Sequence, residues 1–123
     1  MTVSPETSPQ AAKNRLLELL PRQDRKRLLA ASQLVELKSA EVLREAGQRI
    51  RHVYFPAGSA VSLLAPTAAG NTLEVAVIGD EGVLGISVAF GINIGSQRAL
   101  VNRAGPAWRL HRRAPGREAS RGW

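Results

Sequence analysis

The chain has 123 residues, a length that holds one domain and can bury a core of its own. Its 44% hydrophobic content excludes a disordered chain, and the absence of cysteine excludes disulfides, thiolate metal sites and cysteine nucleophiles. The formal charge of +7 suggests a nucleic-acid footprint, but residues 1–102 hold 11 Lys+Arg against 9 Asp+Glu while residues 103–123 hold six Arg against one Glu, so the basic excess belongs to the tail.

Residues 1–13 are rich in Ser, Thr and Pro and read as a flexible segment. They lack the basic stretch and apolar run of a secretory signal, and no apolar run reaches the ~18 residues of a membrane span, so a cytoplasmic location without membrane contact is expected. Leu16, Leu17, Leu19 and Leu20 beside Arg15 and Glu18 suit a short amphipathic helix capped by Asn14. Pro21 ends it and can open a second helix from Arg22 to Ser32. Arg22, Arg25, Lys26 and Arg27 in that helix read as a solvated face rather than a phosphate site.

The period changes after Ser32. Gln33 to Lys38 nearly alternates, Val42-Leu43 follows, and Glu45 to Gln48 reads as a turn. His52 to Phe55 and Ala60 to Leu64 are strands, closed by Pro56 and Pro66. Ala69-Gly70-Asn71 is a hairpin turn, and Thr72 to Ile78 alternates again, with Leu73, Val75 and Val77 on one face. Val77 to Val101 is punctuated by glycines around a short helical segment, Gly85 to Phe90, and leads into strands Arg98 to Arg103 and Ala107 to Leu110. A glycine at the mouth of that helix and an Arg on the next strand could cradle a phosphate; a plain glycine-rich link between core strands fits the same residues. Two helices followed by strands about ten residues apart predict an antiparallel sandwich or barrel of jelly-roll type.

Little in the chain supports catalysis. The two histidines, His52 and His111, cannot supply a cupin-like metal cluster, and Ser62 and Ser87 have no evident base. There is no P-loop and no dinucleotide fingerprint. The expectation is a protein that is not an enzyme and has no metal and no cofactor.

The runs Asn14-Arg15-Leu16-Leu17, Val42-Leu43-Arg44-Glu45-Ala46-Gly47, Ile50 to Pro56, Val61 to Leu64, Glu74-Val75-Ala76 and Gly79 to Gly85, in this order and spacing, resemble the sensor half of bacterial Crp/Fnr-type transcriptional regulators. The resemblance spans about Asn14 to Leu110. It implies a mainly β, cyclic-nucleotide-binding-like jelly roll (a double-stranded β-helix) over residues 14–110, with two N-terminal helices and a short helix in a phosphate-binding cassette. In members that bind cyclic nucleotides, a Gly-Glu pair opens that helix, the Glu takes the ribose hydroxyl, and a later Arg-Ser or Arg-Thr pair takes the phosphate. The matching positions are Gly85, Ile86 and the following Ser87, then Arg98 and Ala99. Glycine and arginine are kept, while Ile86 stands where the ribose-binding Glu would be and Ala99 where the phosphate-binding Ser or Thr would be.

The resemblance also implies a dimerisation helix and a helix-turn-helix beyond the roll. Residues 111–123 instead form a basic tail with Pro115 and Gly116 and no heptad pattern, a composition shift of the kind a truncation or a shifted frame produces. Gly105-Pro106 is expected to break the strand before it. The expected function is therefore a sensor domain without its own DNA-binding domain. It would answer to an unknown small-molecule effector, bind cyclic nucleotides poorly if at all, show no sequence-specific DNA binding alone, and exist as a monomer or weak homodimer. Two other readings are a stand-alone ligand-binding module acting through a partner protein, and a β-roll whose basic tail binds nucleic acid without sequence preference.

Overall fold

Asn14 opens the first helix. Its Oδ1 accepts hydrogen bonds from the backbone N–H groups of Leu16 at 2.9 Å and Leu17 at 3.2 Å, satisfying two of the donors a helix leaves unpaired at its start. The computed structural model describes residues 12–112, so the expectations for the segment before Ala12 and for nearly all of the basic tail lie outside the described residues. Helix α1 (Arg15–Glu18) is a single turn, and Pro21 stands just before α2 (Arg22–Ala30). Leu28 and Leu29 turn inward, while Arg22, Lys26 and Arg27 are exposed, as the solvated-face reading requires.

Seven strands follow: β1 (Gln33–Leu37), β2 (Val42–Arg44), β3 (His52–Pro56), β4 (Ala60–Pro66), β5 (Thr72–Ile78), β6 (Arg98–Arg103) and β7 (Gly105–His111). They form two antiparallel sheets, β1-β7-β3 and β2-β6-β4-β5. The three-stranded sheet is buried on both faces, and period-two alternation sorts its side chains. Val53 and Phe55 of β3 and Trp108 and Leu110 of β7 meet the helices in one cluster with Leu17. Tyr54 and Ala107, from the same strands, point the other way and meet Leu37, Val61, Ala99 and Val101 between the sheets. The molecule is thus helices on sheet on sheet, with two cores separated by the β1-β7-β3 sheet. Among the described residues no helix is long and apolar enough to cross a membrane.

One expectation fails here. Gly105-Pro106 does not break the strand; β7 begins at Gly105 and pairs from there with β1, Leu37 opposite Gly105 and Glu36 opposite Pro106. A proline near a strand start forfeits only its N–H. The carbonyl of Pro106 is used twice, accepting from the Ala57 N–H at 3.0 Å and the Ser59 hydroxyl at 2.8 Å.

Candidate functional site

The site begins where the chain leaves β5. A turn closes from the Gly82 N–H to the Gly79 carbonyl at 3.0 Å. Asp80 pins it: its carboxylate accepts from the Gly58 N–H at 2.7 Å, and its carbonyl accepts from the Arg15 N–H at 2.6 Å. That is turn chemistry, as the sequence suggests for Asp80-Glu81. Leu84 then exchanges both backbone hydrogen bonds with Tyr54, at 3.0 and 2.8 Å, so the chain crosses from one sheet to the edge of the other. Gly85 follows at φ 91, and a methyl group there would come within 2.8 Å of the His52 carbonyl oxygen. Backbone conformation and close approach both demand glycine.

A single 3-10 helix, Ile86–Phe90, fills the cassette and ends at Gly91. The return loop lies along residues 47–50. The Ile50 N–H donates to Asn93 at 2.7 Å, the Gly95 N–H to Gln48 at 3.1 Å, and the Gly47 N–H to Gly95 at 2.8 Å. Strand β6 starts three residues later.

The structure places the five residues expected at the site as follows. Gly85 precedes the helix in the left-handed region, and Ile86 is its first residue, 38% exposed. The Ser87 carbonyl accepts from the Ile92 N–H at 3.1 Å, closing the helix onto its loop. Arg98 opens β6, and Ala99 beside it is fully buried between the sheets, opposite Leu63. Arg98 is already held. Its Nε donates to Glu45 Oε1 at 2.8 Å and its Nη2 to Oε2 at 3.2 Å, a bidentate fork on a carboxylate. That hydrogen bond and the charge behind it raise the arginine's pKa. Sequence reading took Glu45 for part of a turn. The turn is real, with the Gln48 N–H on the Glu45 carbonyl at 3.1 Å, but the side chain points to β6 from 53 residues away in sequence.

No protein-family model matches the chain, and no curated protein matches it. Solved structures do. It superposes on the N-terminal domain of a transcriptional regulator from Streptomyces coelicolor A3(2) with a TM-score of 0.71 at 17% identity, over 90% of this chain and 82% of that one. On a cAMP-bound regulatory subunit of a cAMP-independent protein kinase A from Trypanosoma brucei the TM-score is 0.74 at 17% identity, over 88% of this chain and 40% of that one. On the catabolite activator protein of Thermus thermophilus it is 0.68 at 18% identity, over 79% and 46%. The fold is the cyclic-nucleotide-binding-like β-roll. This chain spans less than half the length of the kinase subunit and of the catabolite activator protein.

In this β-roll one edge strand of each sheet, β2 on one and β3 on the other, borders an open cavity of about 330 Å³. Arg44, Arg49, Arg51, His52 and Tyr54 line it, with Glu41 as the acidic group. Arg44 reaches from β2 under the cassette loop, where its Nη2 donates to the Gln97 carbonyl at 3.3 Å and its guanidinium lies against Gly95. A methyl group on Gly95 would run into that guanidinium. Burial lowers the pKa of Arg44. Burial also lowers that of His52, and the positive charges of Arg109, His111 and Arg51 push it further down. Sequence reading missed Arg44, Arg49 and Arg51. The available signal was a charged residue directly after Val42-Leu43, where alternation would have placed it on a strand.

Proposed function

We propose that this chain is the sensor domain of a Crp/Fnr-type transcriptional regulator, that it is not an enzyme, and that neither cyclic AMP nor cyclic GMP is its tight ligand. The carrying observation is the Arg98–Glu45 fork. A cyclic phosphate binding at Arg98 must displace a carboxylate of like charge that already uses both arms of the guanidinium. Ile86 strengthens the reading, since an isoleucine accepts nothing from a ribose hydroxyl and an unpaired polar group costs about 1–3 kcal/mol. The regulators and cAMP-binding domains of the same fold support the class of function. Isothermal calorimetry tests it: no sub-micromolar affinity for either nucleotide is expected, and such an affinity, lost in Arg98→Ala, refutes the proposal. The reciprocal experiment restores the missing groups. Ile86→Glu with Ala99→Ser, in a Glu45→Gln background that frees Arg98, is expected to raise cyclic nucleotide affinity.

A further inference from the structure

We infer that the cavity between the edges of the two sheets is an anion site, built on Arg44 and separate from the cassette arginine, that takes a small organic phosphate or carboxylate. The first observation is an unmet donor. Arg44 Nε is shielded from solvent and has no hydrogen-bond partner among the described residues. A guanidinium presents five donors in a rigid fork and stays charged, so a shielded and unpaired arm is costly, and an acceptor meets it only when the return loop that covers it at Gly95 gives way. The second observation is the surrounding charge. Arg49 and Arg51 line the same cavity and are exposed, against the single carboxylate of Glu41, which is engaged by the Lys38 N–H at 3.1 Å. The third is size. At about 330 Å³ the cavity lies at the lower end of small-molecule sites and exceeds what a lone ion needs.

The site is also coupled to the part of the fold that a sensor would move. Arg44 touches the cassette return loop through Gln97 and Gly95, and Gly95 in turn pairs with Gly47 and Gln48. An anion drawing on Arg44 therefore competes with or reinforces the contact that holds the loop down. This gives the sensor reading a ligand class and rests on it only for its regulatory consequence. The two fail separately: tight cyclic AMP binding through Arg98 overturns the statement that cyclic nucleotides are not the ligand and leaves the Arg44 site untouched.

The test is NMR titration of the full chain labelled with nitrogen-15, following the Arg Nε–H signals. The probes are inorganic phosphate, glycerol 3-phosphate and succinate. At least one is expected to shift the Arg44 signal saturably. Strongest binding by glycerol 3-phosphate marks a phosphate ester as the ligand chemistry, and strongest binding by succinate marks a carboxylate. Arg44→Gln is expected to weaken the binding by about tenfold or more, while Arg27→Gln, an equal charge change on α2, leaves it unchanged. If Arg44→Gln does not fold, the double variant Arg49→Gln with Arg51→Gln replaces it, because both residues are exposed, and it is expected to show the same loss. No saturable shift with any probe overturns the inference. So does binding that survives these variants, or binding that is lost only in Arg98→Gln.

Discussion

Asn14 shows how one side chain can hold a fold at several points. Its Oδ1 caps α1, and its Nδ2 donates to Pro56 at 2.7 Å and to Gly82 at 2.9 Å. The residue is 1% exposed, so helix, β3 and the turn before the cassette meet at one amide away from water. Only the cap was legible in the sequence, because capping is local, whereas the other two contacts join residues 42 and 68 positions apart. Asn14→Ala removes the cap and strands two carbonyls, which is expected to cost roughly 2–4 kcal/mol, checked by urea denaturation. Asn14→Asp keeps the cap acceptor and loses both donors, so it is expected to destabilise too; full stability would show that the cap alone matters. His52 carries a second residue-scale prediction. Its pKa is lowered from 6.5 in the fold, first by burial and then by Arg109, His111 and Arg51. The unfolded chain therefore takes up the proton more readily. The histidine's contribution to stability is intact above about pH 6.5 and is lost as pH falls toward the folded-state value. Titrating the imidazole by NMR checks it: a folded-state pKa above 6.5 would contradict this account, and His52→Gln should flatten the slope of stability with pH.

At the scale of elements, alternation told more about direction than about cover. It located β1 and β5, while strand-favouring residues and closing prolines located β3 and β4, and the short β2 was not assigned; in β3 the burial itself alternates, with Val53 and Phe55 on one face and Tyr54 on the other. In β5 the same pattern misled. Leu73, Val75 and Val77 are 59%, 46% and 52% exposed. The reason is register. Val61 and Leu63 face the inner core, and their partners on β5 are Ile78 and Ala76, so Val77, opposite Ser62, faces out. The register then shifts between Leu63 and Leu64, leaving Val75 as an extra residue on β5. A bulge leaves no mark on the binary pattern, and a one-residue slip exchanges the faces of a strand. Strand β5 is also the edge of its sheet, with unpaired backbone groups along its free side. Val75→Lys is expected to cost under about 1 kcal/mol in stability, as exposed substitutions do, while reducing self-association at high concentration. Light scattering beside thermal melting separates the two effects. A melting temperature lowered by more than about 8 °C would mean that Val75 is packed in solution. The cassette shows the complementary limit. Its glycines and Arg98 were legible because their chemistry is local. The Glu45 fork was not, since it is a contact between strands made by a residue that sequence assigns to a turn.

For the molecule as a whole, the decisive question is whether the basic charge reads a DNA sequence. Specific readout needs an element that enters a groove and presents side chains to base edges. Among the described residues the helices are α1 of 4 residues, α2 of 9 and the five-residue cassette helix. Helix α2 is the basic one, but Leu28 and Leu29 pack it against the β1-β7-β3 sheet, and Arg25 lies 3.6 Å from Glu18. Its exposed Arg22, Lys26 and Arg27 can meet phosphates, which position a protein without specifying bases. Binding of the 123-residue chain to DNA is therefore expected to be sequence-independent and to fall steeply as salt is raised, by about one power of salt for each phosphate contacted. Deleting residues 103–123, where six of the 17 Lys+Arg lie, should lower both affinity and salt slope if the tail makes those contacts, although the cut also removes β7. Removing only residues 113–123 leaves β7 in place and is the better variant. Footprinting on random and palindromic duplexes at physiological salt decides the matter: a protected palindrome would overturn the expectation. Sedimentation of the same sample decides assembly. The exposed Leu73, Val77, Phe90, Ile92 and Ile94 favour weak concentration-dependent association over a tight dimer, and a stable dimer at low micromolar concentration would contradict it.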